Sequence, residues 1–450
     1  MMSENSYLIF SKDGLVLGLF SDKRYRIALY SFVIGMVIRF ILLPITSSPF
    51  DEGEGWVAII DGFYSGDDLY SSGWYLYPPI WGYILSIIGE IAQLFGMTSF
   101  GDVFAIYGDK FNCIGYNYVT TLEFNTLVKT PALIFDVLTG LAIYRLAYRL
   151  TKDIRKSCVC FAAWFLCPVV IVSSTCLAMF DSIIVLLIVL SMVTFLEKRY
   201  FMTGVLVALG ALTKFFPLMM TPVMAAYILS DRSLPMKARI RNLIHPLIGM
   251  VIIFVLVYLP VLINGQLIDS LTFITMRSDS AVNNGFSFAP TFNNLIYYSP
   301  LILLEYILLM RFVIRSKEED RETTILWALL LSFVPIFALP FVSYTPTYGI
   351  VLVPSFVILY CLKGDIAWWA WLSLLVFPLH GILHYWGQMF YPLAAFTDIV
   401  DFSSLQQEFP IFPIYVFVTF IMCLSGFSFA WIYFKFRKNK ELMEVDAHFD

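Results

Sequence analysis

Long apolar stretches alternate with short polar ones along almost the whole chain. A helix needs about 20 mainly apolar residues to cross a bilayer. Runs of that kind, some shorter, cover residues 26–45, 79–96, 132–150, 159–173, 182–196, 202–215, 218–229, 247–263, 300–314, 325–341, 349–362, 368–385 and 411–434. Several are too short to cross alone. They read as pairs meeting inside the membrane, which is tolerated only where the bend is buried or lines a cavity. The pattern predicts an all-α polytopic membrane protein with about 11–13 helices, short hairpins and re-entrant segments included. Residues 79–96 read as a re-entrant hairpin, and 98–119 as an amphipathic stretch on the outer surface. Pro131 fits a helix start.

Composition sharpens this picture. The chain has 450 residues, 59% hydrophobic and only 14% charged, against about 25% charged in a soluble domain. With a mean hydropathy of +0.79, no soluble core could hide this apolar surface. The formal net charge of −4 gives no general electrostatic case for a nucleic-acid partner; the surrounding partner is membrane lipid. Basic residues cluster at 23–26, 145–156, 198–199, 232–241, 311–321, Lys363 and 435–440. The positive-inside rule puts these in the cytoplasm. Residues 47–77, 266–299, 343–348 and 388–410 then face outward, as do hairpin tips near Asp181 and Lys214. The organisation is a cytoplasmic N-terminus (1–25), one transmembrane domain (26–434) with outer loops at 46–78 and 265–299, and a cytoplasmic tail (435–450). No cleaved signal peptide is read before the first span. Six of the seven cysteines lie in or beside apolar runs. That scatter reads as core packing rather than a disulfide framework or metal-ligand spacing.

The strongest chemical signal is the acidic loop after the first span. It carries Asp51, Glu52, Glu54, Asp61, Asp67 and Asp68. A base that deprotonates a hydroxyl must be a carboxylate or imidazole within hydrogen-bond reach. Asp51, Glu52 and Glu54 are the candidates, while Asp67 and Asp68 read as solvating residues. Charges inside a membrane are costly and usually functional. Lys129 and Asp136 are seven residues apart, so they share a helix face; they serve a site, or they form ion pairs that hold helices together. Asp181 either caps the helix that follows it or faces a cavity. Lys214 is enclosed by apolar residues and needs an anion; a phosphate is one partner, Asp181 or Asp136 the other. In the loop after residue 265, Arg277 is placed to clamp a phosphate, and Asn283 and Asn284 to bond sugar hydroxyls. His380 and His384 share a helix face but lack a carboxylate ligand, so they read as packing or headgroup contacts.

Ordered along the chain, these residues resemble a known family. They are an acidic outer loop ending at Tyr77, Pro78 and Pro79; Lys129, Asp136 and Arg145; Trp164 to Pro168 followed by Asp181 and Ser182; Lys214 to Pro217; Phe286 and Ser287; and Thr347, Tyr348 and Pro354. The set resembles the multi-span glycosyltransferases of the GT-C architecture. Within them it is most similar to the group that includes glycosylphosphatidylinositol mannosyltransferase I and prokaryotic polyprenol-phosphate-mannose-dependent enzymes. This chain departs from the group in three places. Cys167 stands where the family has Asn, and Thr347 where it has Gln. The family's paired Asp-x-Asp falls on Gly53 and Gly55 when Trp56 is aligned with the Tyr that follows.

The resemblance implies an inverting transfer of a sugar, mannose first, from a polyprenyl-phosphate donor to a lipid- or glycan-linked hydroxyl on the outer face. It implies Asp51 as base, then Glu54 and Glu52. Lys214, Lys129 and Arg277 would bind the donor phosphate, and Asp136, Asp181, Tyr77 and Tyr348 would orient substrate. The carboxylates could hold one divalent cation, which the sequence does not require. A transporter or flippase for a lipid-linked anion, or a catalytically inactive assembly subunit, remains the alternative.

Overall fold

A computed structural model describes residues 23–71, 75–97, 99–103, 118–271, 292–317, 321–333, 346–363 and 388–397. Among them four segments are long and apolar enough to cross a membrane: Lys23–Ile45, Leu122–Thr151, Ile154–Cys176 and Met236–Ile263. The predicted runs at 368–385 and 411–434 lie outside the described residues.

Helix α1 (Arg26–Ile45) coincides with the first apolar run. Ala28, Ser31, Gly35, Arg39 and Leu43 recur at helical spacing on its buried face. Val33, Val37, Phe40 and Ile41 lie on the exposed one. Exposed aliphatic side chains also cover α9 (Met236–Ile263) and α10 (Phe292–Ile314), the latter from Leu303 onward. This is the surface a bilayer would cover.

Helix α4 (Leu122–Thr151) begins ten residues before the predicted run. Thr121 is its cap, with the hydroxyl accepting from the Phe124 N–H at 3.2 Å. Pro131 therefore lies inside the helix and not at its start. Its ring removes the N–H that would reach the Leu127 carbonyl. The helix persists because it packs against α1 and α5 (Ile154–Phe165) along its length. The run at 159–173 is broken by Pro168 into α5, a single turn, and a π-helix at Ile171–Cys176.

Helix α6 (Asp181–Leu196), helix α7 (Tyr200–Ala211) and helix α8 (Thr221–Ser230) fall on three of the short apolar runs; α6 packs on α7, and the turn Phe216–Met220 joins α7 to α8. The bend between α7 and α8 passes through Leu212, Thr213 and Lys214, all buried. Residues 79–96 do not fold as a hairpin. Pro79–Leu94 is one continuous helix, α3, after the short helix α2 (Val57–Tyr64). Pro79 occupies the first helical position, where its missing N–H costs nothing. The Ile80 N–H donates to the Leu212 carbonyl at 3.2 Å, fixing α3 on the α7–α8 bend. Most of the predicted amphipathic stretch at 98–119 lies outside the described residues. Strands β1 (Gly101–Val103) and β2 (Tyr118–Thr120) pair antiparallel, with Gly101 opposite Thr120. Among the described residues this ribbon is the only sheet. Helices α11 (Arg321–Leu331), α12 (Val353–Lys363) and α13 (Tyr391–Phe396) complete the described elements.

Among the described residues, several of the basic clusters are tied to neighbouring elements. Arg145 pairs with Glu197 at 3.0 Å, and Arg149 with Glu322 at 3.2 Å. Arg321 donates to the Tyr227 carbonyl at 2.6 Å, and the segment Lys23–Tyr25 packs on α5.

Helices α7 and α9 cross at van der Waals contact. A Cβ added to Gly204 would lie 1.9 Å from the Pro246 carbonyl oxygen, and one added to Gly249 would lie 2.4 Å from that of Phe201. Small residues allow this approach where lipid supplies no hydrophobic drive between helices. Gly204→Ala is expected to lower stability by about 1–3 kcal/mol, as overpacking does. Gly62→Ala serves as the control, since its nearest neighbour would be 3.7 Å away. Unfolding temperatures in detergent decide it: equal values for both variants would mean that the helices separate at no cost.

Candidate functional site

The site forms at the end of the bundle opposite the basic clusters. It starts where α1 stops. Pro44 lies in the last turn of α1, and the carbonyls there have no helical partner. Helix α4 supplies donors for three of them. Asn125 Nδ2 donates to the Pro44 carbonyl at 2.9 Å. Lys129 Nζ, one turn further on, donates to Leu43 at 3.0 Å and also to Thr46. A cation at the negative end of a helix dipole is favourable.

The chain then enters a π-helix, Pro49–Trp56, holding the acidic motif. Ser48 caps it: its hydroxyl accepts the Asp51 N–H at 3.3 Å. In return Glu52 Oε2 accepts the Ser48 N–H at 3.3 Å. This is a capping box with the acid one residue late, as the wider turn requires. Glu52 is fully buried, 3.4 Å from Lys129 Nζ. All three ammonium donors of Lys129 are therefore engaged within the protein, on Glu52, Leu43 and Thr46. It clasps α1, α4 and the π-helix together rather than presenting a cation to a phosphate.

Asp51 is half-buried, and its Oδ2 lies 3.3 Å from the Ser48 hydroxyl. The backbone of Glu54 lies in the same π-helix; its side chain lies outside the described residues. Asp61 ends up in α2, and Asp68 is exposed, accepting from Asn264 Nδ2 at 2.5 Å. Burial pushes the Glu52 carboxyl up to about 7, with Lys129 and the Ser48 N–H pulling back. The folded chain thus holds a proton that an unfolded carboxyl, at 4.5, has released. Stability is therefore expected to fall as pH rises from 4.5 to about 7 and to level off above that. Glu52→Gln removes this contribution. Unfolding temperatures measured across that window test it; an unchanged slope in Glu52→Gln would assign the effect to other groups.

Trp56 closes the π-helix inside an aromatic cluster. Its ring lies 5.7 Å from Trp81, 5.8 Å from Tyr77 and 6.1 Å from Phe180. Phe180 stacks on Trp81 at 4.9 Å and meets Tyr77 edge-on at 5.0 Å. The Tyr75 hydroxyl braces the turn before α3, donating to the Pro78 carbonyl and accepting from the Gly82 N–H, both at 2.7 Å. Ala178, two residues before Phe180, is buried. It adopts φ +53°, a left-handed conformation that costs a residue with a side chain about 1–2 kcal/mol. Strain of this kind concentrates at functional sites.

Asp181 follows Phe180 as the first residue of α6. Phe180, not Asp181, occupies the cap position, and no side chain caps it. Instead Asp181 Oδ1 accepts from Lys214 Nζ at 2.7 Å. The Lys-x-x-Pro segment places that lysine. Pro217 folds back onto Gly210, where a Cβ would meet its ring at 2.6 Å, and the Lys214 N–H closes on the Gly210 carbonyl at 2.8 Å. The ammonium is 5.7 Å from the Phe180 ring centre and 5.3 Å from Phe216. The two polar positions read from the sequence, Asp181 and Lys214, therefore meet.

Asp136 shares the buried face of α4 with Lys129 but serves a different partner. Arg39 Nε donates to it at 3.0 Å, Ser174 Oγ at 2.7 Å, and Ser182 Oγ as well. The Trp164 indole donates to its backbone carbonyl at 2.9 Å. Asp136 thus joins α1, the second π-helix and, through Ser182, the start of α6. Sequence reasoning missed Arg39, although a lone cation in an apolar run is itself a signal. It also missed the aromatic cluster, because aromatic residues are abundant in any membrane chain. Tyr348 lies in a 3-10 turn, Pro346–Leu352, with its side chain outside the described residues. Arg277, Asn283, Asn284, Phe286, Ser287, His380 and His384 lie outside them altogether. Among the described residues, no three His, Cys, Asp or Glu side chains form a metal-holding group.

No protein-family model matches the chain, and no curated protein matches it either.

Proposed function

We propose that the chain is a membrane glycosyltransferase. It moves a sugar, mannose by resemblance, from a polyprenyl phosphate to a hydroxyl of a lipid or glycan acceptor. The positive-inside rule assigns the site to the extracellular or luminal face.

One observation carries this reading. Around the aromatic cluster, four buried polar atoms have no partner among the described residues: Glu52 Oε1, Asp181 Oδ2, Trp56 Nε1 and Trp81 Nε1. Unsatisfied buried groups in a native structure call for an explanation. Two unpaired carboxyl oxygens and two unpaired indole donors in and beside the ring cluster are what a polyhydroxylated, weakly apolar ring would satisfy.

In this mechanism Asp51, the partly accessible carboxylate, takes the proton from the acceptor hydroxyl. The oxygen attacks the anomeric carbon, which passes through an oxocarbenium-like state. The lipid phosphate leaves with its charge met by Lys214, and by Arg277 as the resemblance implies. Asp181 holds the Lys214 ammonium until the phosphate arrives. A transporter would need comparable polar machinery at both ends. At the opposite end Arg145 pairs with Glu197 and Arg149 with Glu322.

The test is incubation of purified protein with radiolabelled polyprenyl-phosphate-mannose and total membrane lipids, followed by identification of the labelled product. Label found only in unreacted donor or free mannose would end the proposal. Lys214→Ala is expected to impair donor use far more than Lys214→Arg, which keeps the charge. Equal losses in the two variants would argue against a phosphate contact.

A further inference from the structure

The cysteines of the basic half of the bundle are not evenly dispersed. Cys160 lies on α5 and Cys361 on α12, 201 positions apart in the chain. Their sulfurs are 3.0 Å apart. Cys160 is fully buried, and Cys361 is 4% exposed. Cys160 Sγ also lies 4.0 Å from the carbonyl of Val357, one turn before Cys361 on α12. The thiol is thus aimed along the face of α12 that carries its partner. The bonded distance between sulfurs is about 2.05 Å, so a shift of about 1 Å would join them. Cys158, two residues before Cys160, points to a different side of α5.

We propose that Cys160 and Cys361 form an oxidisable dithiol, converted to a disulfide by a membrane-permeant two-electron oxidant such as a quinone or a diazene. One sulfur–sulfur bond forms and two S–H bonds break. The two protons and two electrons pass to the oxidant, giving a quinol or a hydrazine. A dithiol reductant reverses the step. Burial in an apolar bundle excludes water-borne disulfides from the sulfurs, which is why the oxidant must be lipid-soluble.

The bond would staple α5 to α12. Helix α5 leads to Trp164, which donates to Asp136, and to the π-helix of Ser174. Helix α12 continues from the turn Pro346–Leu352, which packs on α6 and that same π-helix. Oxidation would therefore fix two elements that support the site from behind. The inference does not rest on sugar transfer, since its readout is the state of the thiols.

The experiment uses the full chain in detergent, reduced with dithiothreitol, freed of reductant and exposed to diamide. The protein is then unfolded, its free thiols are alkylated with N-ethylmaleimide, and non-reducing peptide mass spectrometry follows. The expected result is a fall in alkylated cysteines from seven to five. The peptides carrying Cys160 and Cys361 should be linked, and dithiothreitol should restore both. Cys361→Ser is expected to keep its six remaining thiols alkylatable, while Cys158→Ser still forms the link. Seven free thiols after diamide, or a link between any other pair, would overturn the proposal. The main measurement is made on the natural chain, so it does not depend on a variant folding.

Discussion

Replacing Asp51 by Asn is expected to slow sugar transfer by about 10²–10⁴-fold, the usual contribution of a positioned general base. The change is nearly isosteric. Asp51 is half-buried, and its backbone N–H, which caps the π-helix on Ser48, is retained. Expression and unfolding temperature should therefore stay at the level of the natural protein. Glu52→Gln supplies the contrast. Glu52 is fully buried against Lys129, so its substitution should disturb the clasp between α1 and α4 as well as any transfer. Measuring transfer and unfolding temperature on both variants separates a base from a scaffold carboxylate. Transfer that survives in Asp51→Asn would exclude Asp51 as the base and move attention to Glu54.

Arg39→Leu and Asp136→Leu are each expected to destabilise the protein by about 3–5 kcal/mol, the cost of leaving one buried charge without its partner. Both side chains are fully buried and 3.0 Å apart. Arg39 also donates to the Phe165 carbonyl at 2.8 Å and lies 4.2 Å above that ring. Asp136 collects two serine hydroxyls besides. The double variant should be less damaged than the sum of the single ones, because neither charge is then stranded. Tryptophan-detected unfolding in detergent gives the three values. If the losses simply add, the pair is not coupled and the account of Asp136 as the hub joining α1, the second π-helix and α6 fails.

The outcome at Lys129 and Asp136 shows what spacing can and cannot reveal. Seven residues on a helix place both side chains on one face, and both are buried there. Spacing says nothing of their partners. Lys129 found Glu52 and the end of α1, and Asp136 found Arg39 and two serines. Both partnerships needed the chain to return from distant positions. Pro131 shows the reverse failure. A local rule made it a helix start, and packing on both sides carried the helix through it.

Some of this protein was decided by the chain itself. The apolar runs specify helices, because backbone polar groups in a hydrocarbon setting must be satisfied within their own segment. The isolated charges Lys129, Asp136, Asp181 and Lys214 were visible because an ionisable group among apolar neighbours must find a counter-charge or a ligand. The alternation of basic and acidic loops is likewise a property of the chain alone. Other features exist only in three dimensions: the pairing of Asp181 with Lys214, the ring cluster of Trp56, Tyr77, Trp81 and Phe180, and the contact of Cys160 with Cys361. They depend on which helix ends come together, and helix periodicity does not carry that information. Contacts across tens or hundreds of residues are set by the packing of whole helices, and no local pattern encodes them.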